Sequence, residues 1–209
     1  MSEKSGLYYP NLMSRIYLQA LEEVMGKSGV NALLNLATLP ELIGNYPPAN
    51  LDREFDFSDF SAIGRSLEEM YGPRGGRGLG VRAGRAAFAE GLSKFGATAG
   101  VADLAFKVLP TGTKLKVGLK AMAETFNKFS DQKSEINEEE EYFVYTISQC
   151  PVCWDRKSDR PVCFAAVGIL QEGLHWVSGG KNFRVEEVEC IAQGKEVCVI
   201  HVYKQPLDF

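Results

Sequence analysis

The chemistry this sequence offers rests on five cysteines, and all of them fall after residue 149. Cys150 and Cys153 bracket a C-x-x-C turn, Cys163 follows, and Cys190 and Cys198 stand on either side of the short segment AQGK. A turn points two thiolates at one ion, and the two arms of a hairpin bring a second pair from far along the chain. That is how a tetrahedral zinc site is assembled. Two other uses of these thiols compete. Some are small buried hydrophobes, above all Cys163 within RPVCFAAVG. Cys150 and Cys153 also have the spacing of a redox pair. Against the redox use, Pro151 lies inside the pair and the thioredoxin-like context is missing. His175 and His201 add no metal or nucleophile pattern, because neither pairs with a candidate nucleophile at readable spacing.

The elements that must position these thiols are legible in part. An acidic run, EINEEEE, leads into a β-rich stretch, with Tyr142 to Ile147 all aromatic, β-branched or Thr. A helix is expected from about Pro161 to Val177, with Pro161 in its first turn, Asp159 as a cap and Gly179-Gly180 as its end. Residues 183–191 and 196–203 read as two strands, and AQGK between them makes a hairpin.

Upstream the pattern is helical. Leu12, Ile16, Leu18, Leu21 and Met25 are spaced for a helix over 11–25, and a second helix is expected from Val30 to Leu39, stopped by Pro40. The loop 44–52, rich in Pro and Asn, separates an N-terminal helical extension, residues 1–50, from a domain spanning 51–209. Ser58 or Asp59 caps a further helix that ends at Gly72-Pro73. Helices are also expected over 99–108 and 115–129, the latter with an apolar stripe of Leu115, Leu119, Met122, Phe126 and Phe129 that reads as core. Helices followed by a β-helix-β-β unit give an α+β fold with an antiparallel sheet.

The segment GPRGGRGLGVRAGRAAF invites a phosphate-loop interpretation, which fails: no Walker lysine follows and no strand precedes it. Its small residues Gly80, Ala83, Gly84 and Ala87 suit close helix packing instead. Arg74, Arg77, Arg82 and Arg85 cluster near a helix start and offer an anion site.

Composition sets the frame. Of 209 residues, 45% are hydrophobic and 24% charged, enough for a sizeable core without disulfide staples. A net charge of -4 gives no reason to expect direct nucleic-acid binding. No apolar run reaches membrane-spanning length, and the N-terminal MSEKSGLYYP lacks the apolar region of a secretory signal. A cytoplasmic protein is therefore expected, in which thiols stay reduced and act as ligands rather than disulfides.

RPVCFAAVGILQEG, followed by VEEVECIAQGKEVCVIHV, resembles the four-vinyl-reductase domain, also called the predicted hydrocarbon-binding domain. LEEMYGPRGGRGLGVRAGRAAF is similar to a segment of stand-alone members. The resemblance implies a fold related to vesicle-tethering Bet-type subunits and haem-based nitric-oxide sensors, a homodimer, and a ligand-sensing role like that of phenol-responsive bacterial regulators. It further implies a zinc ion held by Cys163, Glu187, Cys190 and Cys198. The additional pair Cys150 and Cys153 sets up a competing all-cysteine set of Cys150, Cys153, Cys190 and Cys198. The sensors' aromatic residues after the cysteine helix start are replaced by Ile169 and Gly173.

The expected function is a module that binds a small apolar or aromatic ligand, with zinc as a structural pin. Tyr142, Phe143, Tyr145, Ile169 and Trp176 are the expected pocket residues. The alternatives are an accessory factor or enzyme of tetrapyrrole vinyl reduction, for which no dinucleotide fingerprint or acid–base pair is present, and a dimeric assembly scaffold.

Overall fold

The computed structural model describes residues 3–95 and 109–207. The helix expected over 99–108 lies outside them. The chain opens with a short strand β1 (Tyr8–Pro10), then helices α1 (Asn11–Met25) and α2 (Lys27–Leu36). Strand β2 (Arg53–Asp56) pairs antiparallel with β1. A long helical stretch, Phe57–Phe95, breaks at Gly72 (φ 69, ψ 171) into α3 (57–71) and α4 (73–95). Only glycine takes that backbone conformation freely, and Pro73 is suited to open the next helix. Helix α5 (Thr111–Phe129) precedes strands β3 (Lys133–Glu138) and β4 (Tyr142–Gln149). Helix α6 (Phe164–Ser178) and strands β5 (Phe183–Glu189) and β6 (Cys198–Pro206) complete the chain.

The main sheet is antiparallel throughout, with order β3-β4-β6-β5. Strand alternation sets its two faces. Phe143, Tyr145 and Ile147 of β4 and Cys198, Ile200 and Val202 of β6 are buried toward the helices. Tyr142, His201 and Tyr203 lie on the other face, where Tyr142 stacks on His201 at 4.1 Å between ring centroids. The architecture is α+β, as the sequence predicts.

Several boundaries differ from the sequence-based expectation, each for a local reason. Helix α2 starts at Lys27 rather than Val30 and ends at Leu36, because Thr38 turns the chain with a positive φ of 61 before Pro40 is reached. The cap of α3 is Asp56, neither Ser58 nor Asp59: its Oδ1 accepts the Ser58 N–H at 2.8 Å. The same carboxylate accepts the Ser5 N–H and hydroxyl, at 3.0 and 2.8 Å, and the Gly6 N–H at 3.1 Å. Helix α6 begins at Phe164, three residues after Pro161, with Cys163 and not Asp159 at its N-cap. The acidic run EINEEEE contains most of β3, an edge strand whose charges face solvent.

Residues 1–50 share one hydrophobic core with the rest of the described chain. Tyr17 of α1 stacks on Phe60 of α3 at 4.7 Å, and Tyr9 meets Phe57 and Phe60 edge-on at 5.3 and 5.2 Å. Each such pair adds about 0.5–1.5 kcal/mol beyond its buried area. At the other end, α4 and α6 touch through backbone. A Cβ at Gly84 would stand 2.2 Å from the Ala165 carbonyl oxygen, and one at Gly168 would stand 2.1 Å from that of Val81. The small residues of the glycine–arginine segment are thus the packing surface of α4.

Candidate metal centre and apolar cavity

Four chain segments end at one edge of the sheet. Strand β4 ends just before Cys150, and antiparallel β6 begins there at Cys198. Strand β5 ends beside it, before Cys190, and α6 starts from Cys163. All five cysteines are free and buried. Cys163 Sγ lies 3.4 Å from Cys150 Sγ, 3.8 Å from Cys190 Sγ and 3.7 Å from Cys198 Sγ. Cys198 Sγ lies 3.4 Å from Cys153 Sγ and 3.9 Å from Cys190 Sγ. These separations are far beyond a disulfide bond of about 2 Å. They match the edge of a tetrahedron about a metal with metal–sulfur bonds of about 2.3 Å, which is about 3.8 Å.

Two four-donor sets are brought together: Cys150, Cys153, Cys163 and Cys198, and Cys163, Glu187, Cys190 and Cys198. Four buried cysteines can therefore hold a metal ion. The all-cysteine set differs from the sequence-derived one, because Cys163 takes the place assigned to Cys190. Strand β5 lies on the far side of β6 from β4, so Cys190 approaches from the side opposite Cys150. The loop 150–163 instead delivers Cys163 directly beside the C-x-x-C turn.

The surroundings suit anionic sulfur. The Ile191 N–H donates to Cys198 Sγ at 3.4 Å. Hydrogen bonds from Cys153, then from Cys163 and Cys198, hold the Cys150 thiol well below its usual range. Those from Cys153 and Cys163 bring Cys190 down to about 7. Burial pushes Cys163 up. Burial and then the Cys190 charge push the Glu187 carboxyl up to about 9. Glu187 Oε2 accepts the Cys163 N–H at 2.7 Å, while its buried Oε1 has no hydrogen-bond partner.

The loop 150–163 is pinned from both sides. Arg156 Nη2 pairs with Glu68 of α3 at 2.7 Å, the two side chains only 7% and 13% exposed, and Arg160 reaches the same carboxylate at 3.3 Å. Ser61 donates to the Trp154 carbonyl at 2.7 Å. The Ser158 N–H donates to the Ala192 carbonyl at 2.9 Å.

Behind the metal centre, toward the helices, lies a cavity of about 150 Å³. Its walls come from β1, α1, α3–α6 and β4: Tyr9, Ile16, Tyr17, Phe60, Phe88, Met122, Phe126, Tyr145, Ile169 and Trp176 among others. Of the expected pocket residues, Tyr145, Ile169 and Trp176 line it, and Trp176, 41% exposed, stands at its rim. Tyr142 is on the opposite face of the sheet. Phe143 shares the inner face with Tyr145 but lies two residues along the strand, within the core. The apolar stripe of α5 is divided, with Leu115 and Leu119 in the core and Met122 and Phe126 in the cavity wall.

Few polar groups reach the cavity. The Tyr9 hydroxyl donates to Gln132 Oε1, and Gln132 Nε2 donates to Ser134 Oγ at 2.8 Å. The Tyr145 hydroxyl is buried without a hydrogen-bond partner of acceptable geometry. Burial raises its pKa, against a smaller opposing effect of nearby Ser134. Sequence reasoning missed Tyr9, Tyr17, Phe60 and Phe88 as wall residues. No local pattern marks them, since the cavity forms only where separate elements meet.

Of the arginines, Arg85 is tied to Glu172 of α6 at 2.7 Å, while Arg74, Arg77 and Arg82 are exposed on α4. No helix among the described residues is long and apolar enough to cross a membrane.

Residues 143–204 match the family model of the four-vinyl-reductase domain. No curated protein sequence matches the chain. Solved H-NOX domains share the fold. One, from a study of heme distortion in the H-NOX family, is 13% identical, with a TM-score of 0.61, and covers 96% of this chain and 97% of its own. An oxygen-binding H-NOX domain related to soluble guanylate cyclases is also 13% identical, with a TM-score of 0.58 and coverage of 96% and 98%. The H-NOX protein from S. oneidensis is 15% identical, with a TM-score of 0.53 and coverage of 93% and 99%.

Haem itself does not fit the described site. Neither His175 nor His201 lines the cavity, burial keeps the phenols of Tyr9, Tyr17 and Tyr145 protonated, and the space suits one ring rather than a macrocycle. Sheet, cysteine helix start and hairpin together make residues 143–204 a four-vinyl-reductase domain, set within an H-NOX-like fold.

Proposed function

We propose that this chain is a sensory module that binds a small aromatic molecule carrying one hydrogen-bonding group, with a zinc ion at the cysteine cluster as a structural pin. The observation that carries this reading is the cavity: about 150 Å³, walled by apolar side chains, with the unpartnered Tyr145 hydroxyl facing it. An apolar cavity of that size stays dry and accepts a single aromatic ring. A buried hydroxyl without a partner favours a ligand that supplies one. The four-vinyl-reductase match and the H-NOX-like fold support a sensory role. Five buried thiols with no space for substrate beside them suit a closed structural zinc site rather than an open catalytic one. The proposal includes a homodimer, which the mass of the full chain in solution tests.

The test is calorimetric titration of the full chain with phenol and with toluene. Both bind, and Tyr145→Phe weakens phenol by roughly tenfold, the equivalent of one lost hydrogen bond, while leaving toluene unchanged. If no single-ring aromatic binds, or if the variant loses both ligands equally, the reading fails.

A further inference from the structure

A structural pin needs one metal ion, yet the cluster presents two complete donor sets. In each, all donor atoms lie within 4.8 Å of one another, and the sets share Cys163 and Cys198. We propose that the cluster holds two divalent ions of the zinc type, bridged by the thiolates of Cys163 and Cys198. Cys150 and Cys153 complete the first site, and Glu187 and Cys190 the second. This deepens the metal part of the proposed function and rests on it.

Donor number is the first argument. Two four-coordinate ions that share two ligands need six donors, and five cysteines with Glu187 supply six. One ion would leave two ionisable groups of the cluster in the interior with no cation, at a desolvation cost to whichever is charged.

Position is the second. The two shared sulfurs are the ones in contact with both sides of the cluster. Cys163 Sγ is 3.4 Å from Cys150 and 3.8 Å from Cys190, while Cys198 Sγ is 3.4 Å from Cys153 and 3.9 Å from Cys190. They are also the two sulfurs with backbone support for negative charge: Cys163 at the start of α6, and Cys198 under the Ile191 N–H.

The third is the carboxylate. Glu187 spends Oε2 on the Cys163 N–H, which orients Oε1 toward the cluster with no donor for it. A buried acceptor without a partner requires an explanation, and a cation in the second site provides one.

The experiment is metal analysis of the full chain by native mass spectrometry during zinc titration under reducing conditions, with cadmium-113 NMR of the cadmium-loaded protein. The expected result is two ions per chain and two cadmium resonances, one from an all-sulfur site and one from a site that includes oxygen. Glu187→Gln and Cys190→Ser should each bring the count to one and remove the second resonance. Should either variant fail to fold, the count and the two resonances of the unsubstituted chain still decide. Saturation at one ion, or a Glu187→Gln protein that still holds two, overturns the second site and leaves the single structural pin standing. A chain that takes up no metal removes both.

Discussion

Replacing Gly168 with alanine tests the closest contact in the molecule. Alanine is the better helix former by about 1 kcal/mol, so a helix judged alone would gain. Here the new Cβ would lie 2.1 Å from the Val81 carbonyl oxygen and 2.9 Å from its carbon, both backbone atoms that no rotamer change can move. Restoring an ordinary contact of 3.4 Å requires α4 and α6 to part by about 1.3 Å. Overpacking of this kind costs about 1–3 kcal/mol, at the upper end where backbone must yield. After the propensity gain, a net loss of about 2 kcal/mol remains, which for a chain of this size lowers Tm by roughly 4–8 °C. Gly78→Ala is the matched control on α4, because nothing stands within 4 Å of its Cβ. It should gain about 0.5–1 kcal/mol. Thermal and urea unfolding of both variants give the comparison. If Gly168→Ala unfolds at or above the temperature of the unsubstituted protein, the helices are not held at backbone contact and the argument from the two glycines is refuted.

Three further expectations follow from the charged and metal-binding groups. Asp56→Asn should cost about 2 kcal/mol at neutral pH: burial would raise this carboxyl, but hydrogen bonds from Ser58 and Ser5 outweigh it and hold its pKa at about 2. Since the folded pKa lies below the unfolded one, this stabilisation is full above about pH 4 and is lost as pH falls through about 2, so the variant's acid-unfolding curve should be flatter over that range. Glu68→Gln removes one partner of a buried ion pair and should cost about 3 kcal/mol by urea unfolding; a loss below about 1 kcal/mol would mean that the pair does not pin the cysteine loop. Removing metal with a chelator under reducing conditions should lower Tm and speed hydrogen exchange first in β5, β6 and loop 150–163, because metal-binding energy is folding energy there; unchanged exchange in those segments would count against a structural ion.

The sequence reveals the metal-ligating side chains because cysteine is chemically distinctive and its spacing survives without knowledge of the fold. It reveals the faces of β4 and β6 because alternation reports burial directly. Phe143 and Tyr142 show the limit of that signal: both are aromatic and adjacent, yet the pleat sends one into the core and the other to the far face. Which cysteines group together depends on sheet order, which spacing does not encode, so Cys163 and Cys190 exchange expected places. The start of α6 is set by tertiary contacts, through the Cys163 N–H and Glu187, and Pro161 misplaces it. Strands β1 and β2 are three and four residues long, too short for a periodic pattern. Strand β3 is concealed by its charges, since an exposed edge needs few apolar residues.

Helix α6 has fifteen residues, a rod of about 22 Å, and its two ends serve different parts of the molecule. Its first turn stands on the cysteine cluster, whereas Ile169, Gly173 and Trp176 further along form the cavity wall. Glycine contacts fix it against α4, leaving tilt about that crossing as its freest motion. A guest that tilts the rod at one end thereby changes the spacing of sulfur atoms at the other. Thermodynamic reciprocity then binds the two occupants: whatever factor the aromatic guest imposes on metal affinity, the metal imposes on the guest.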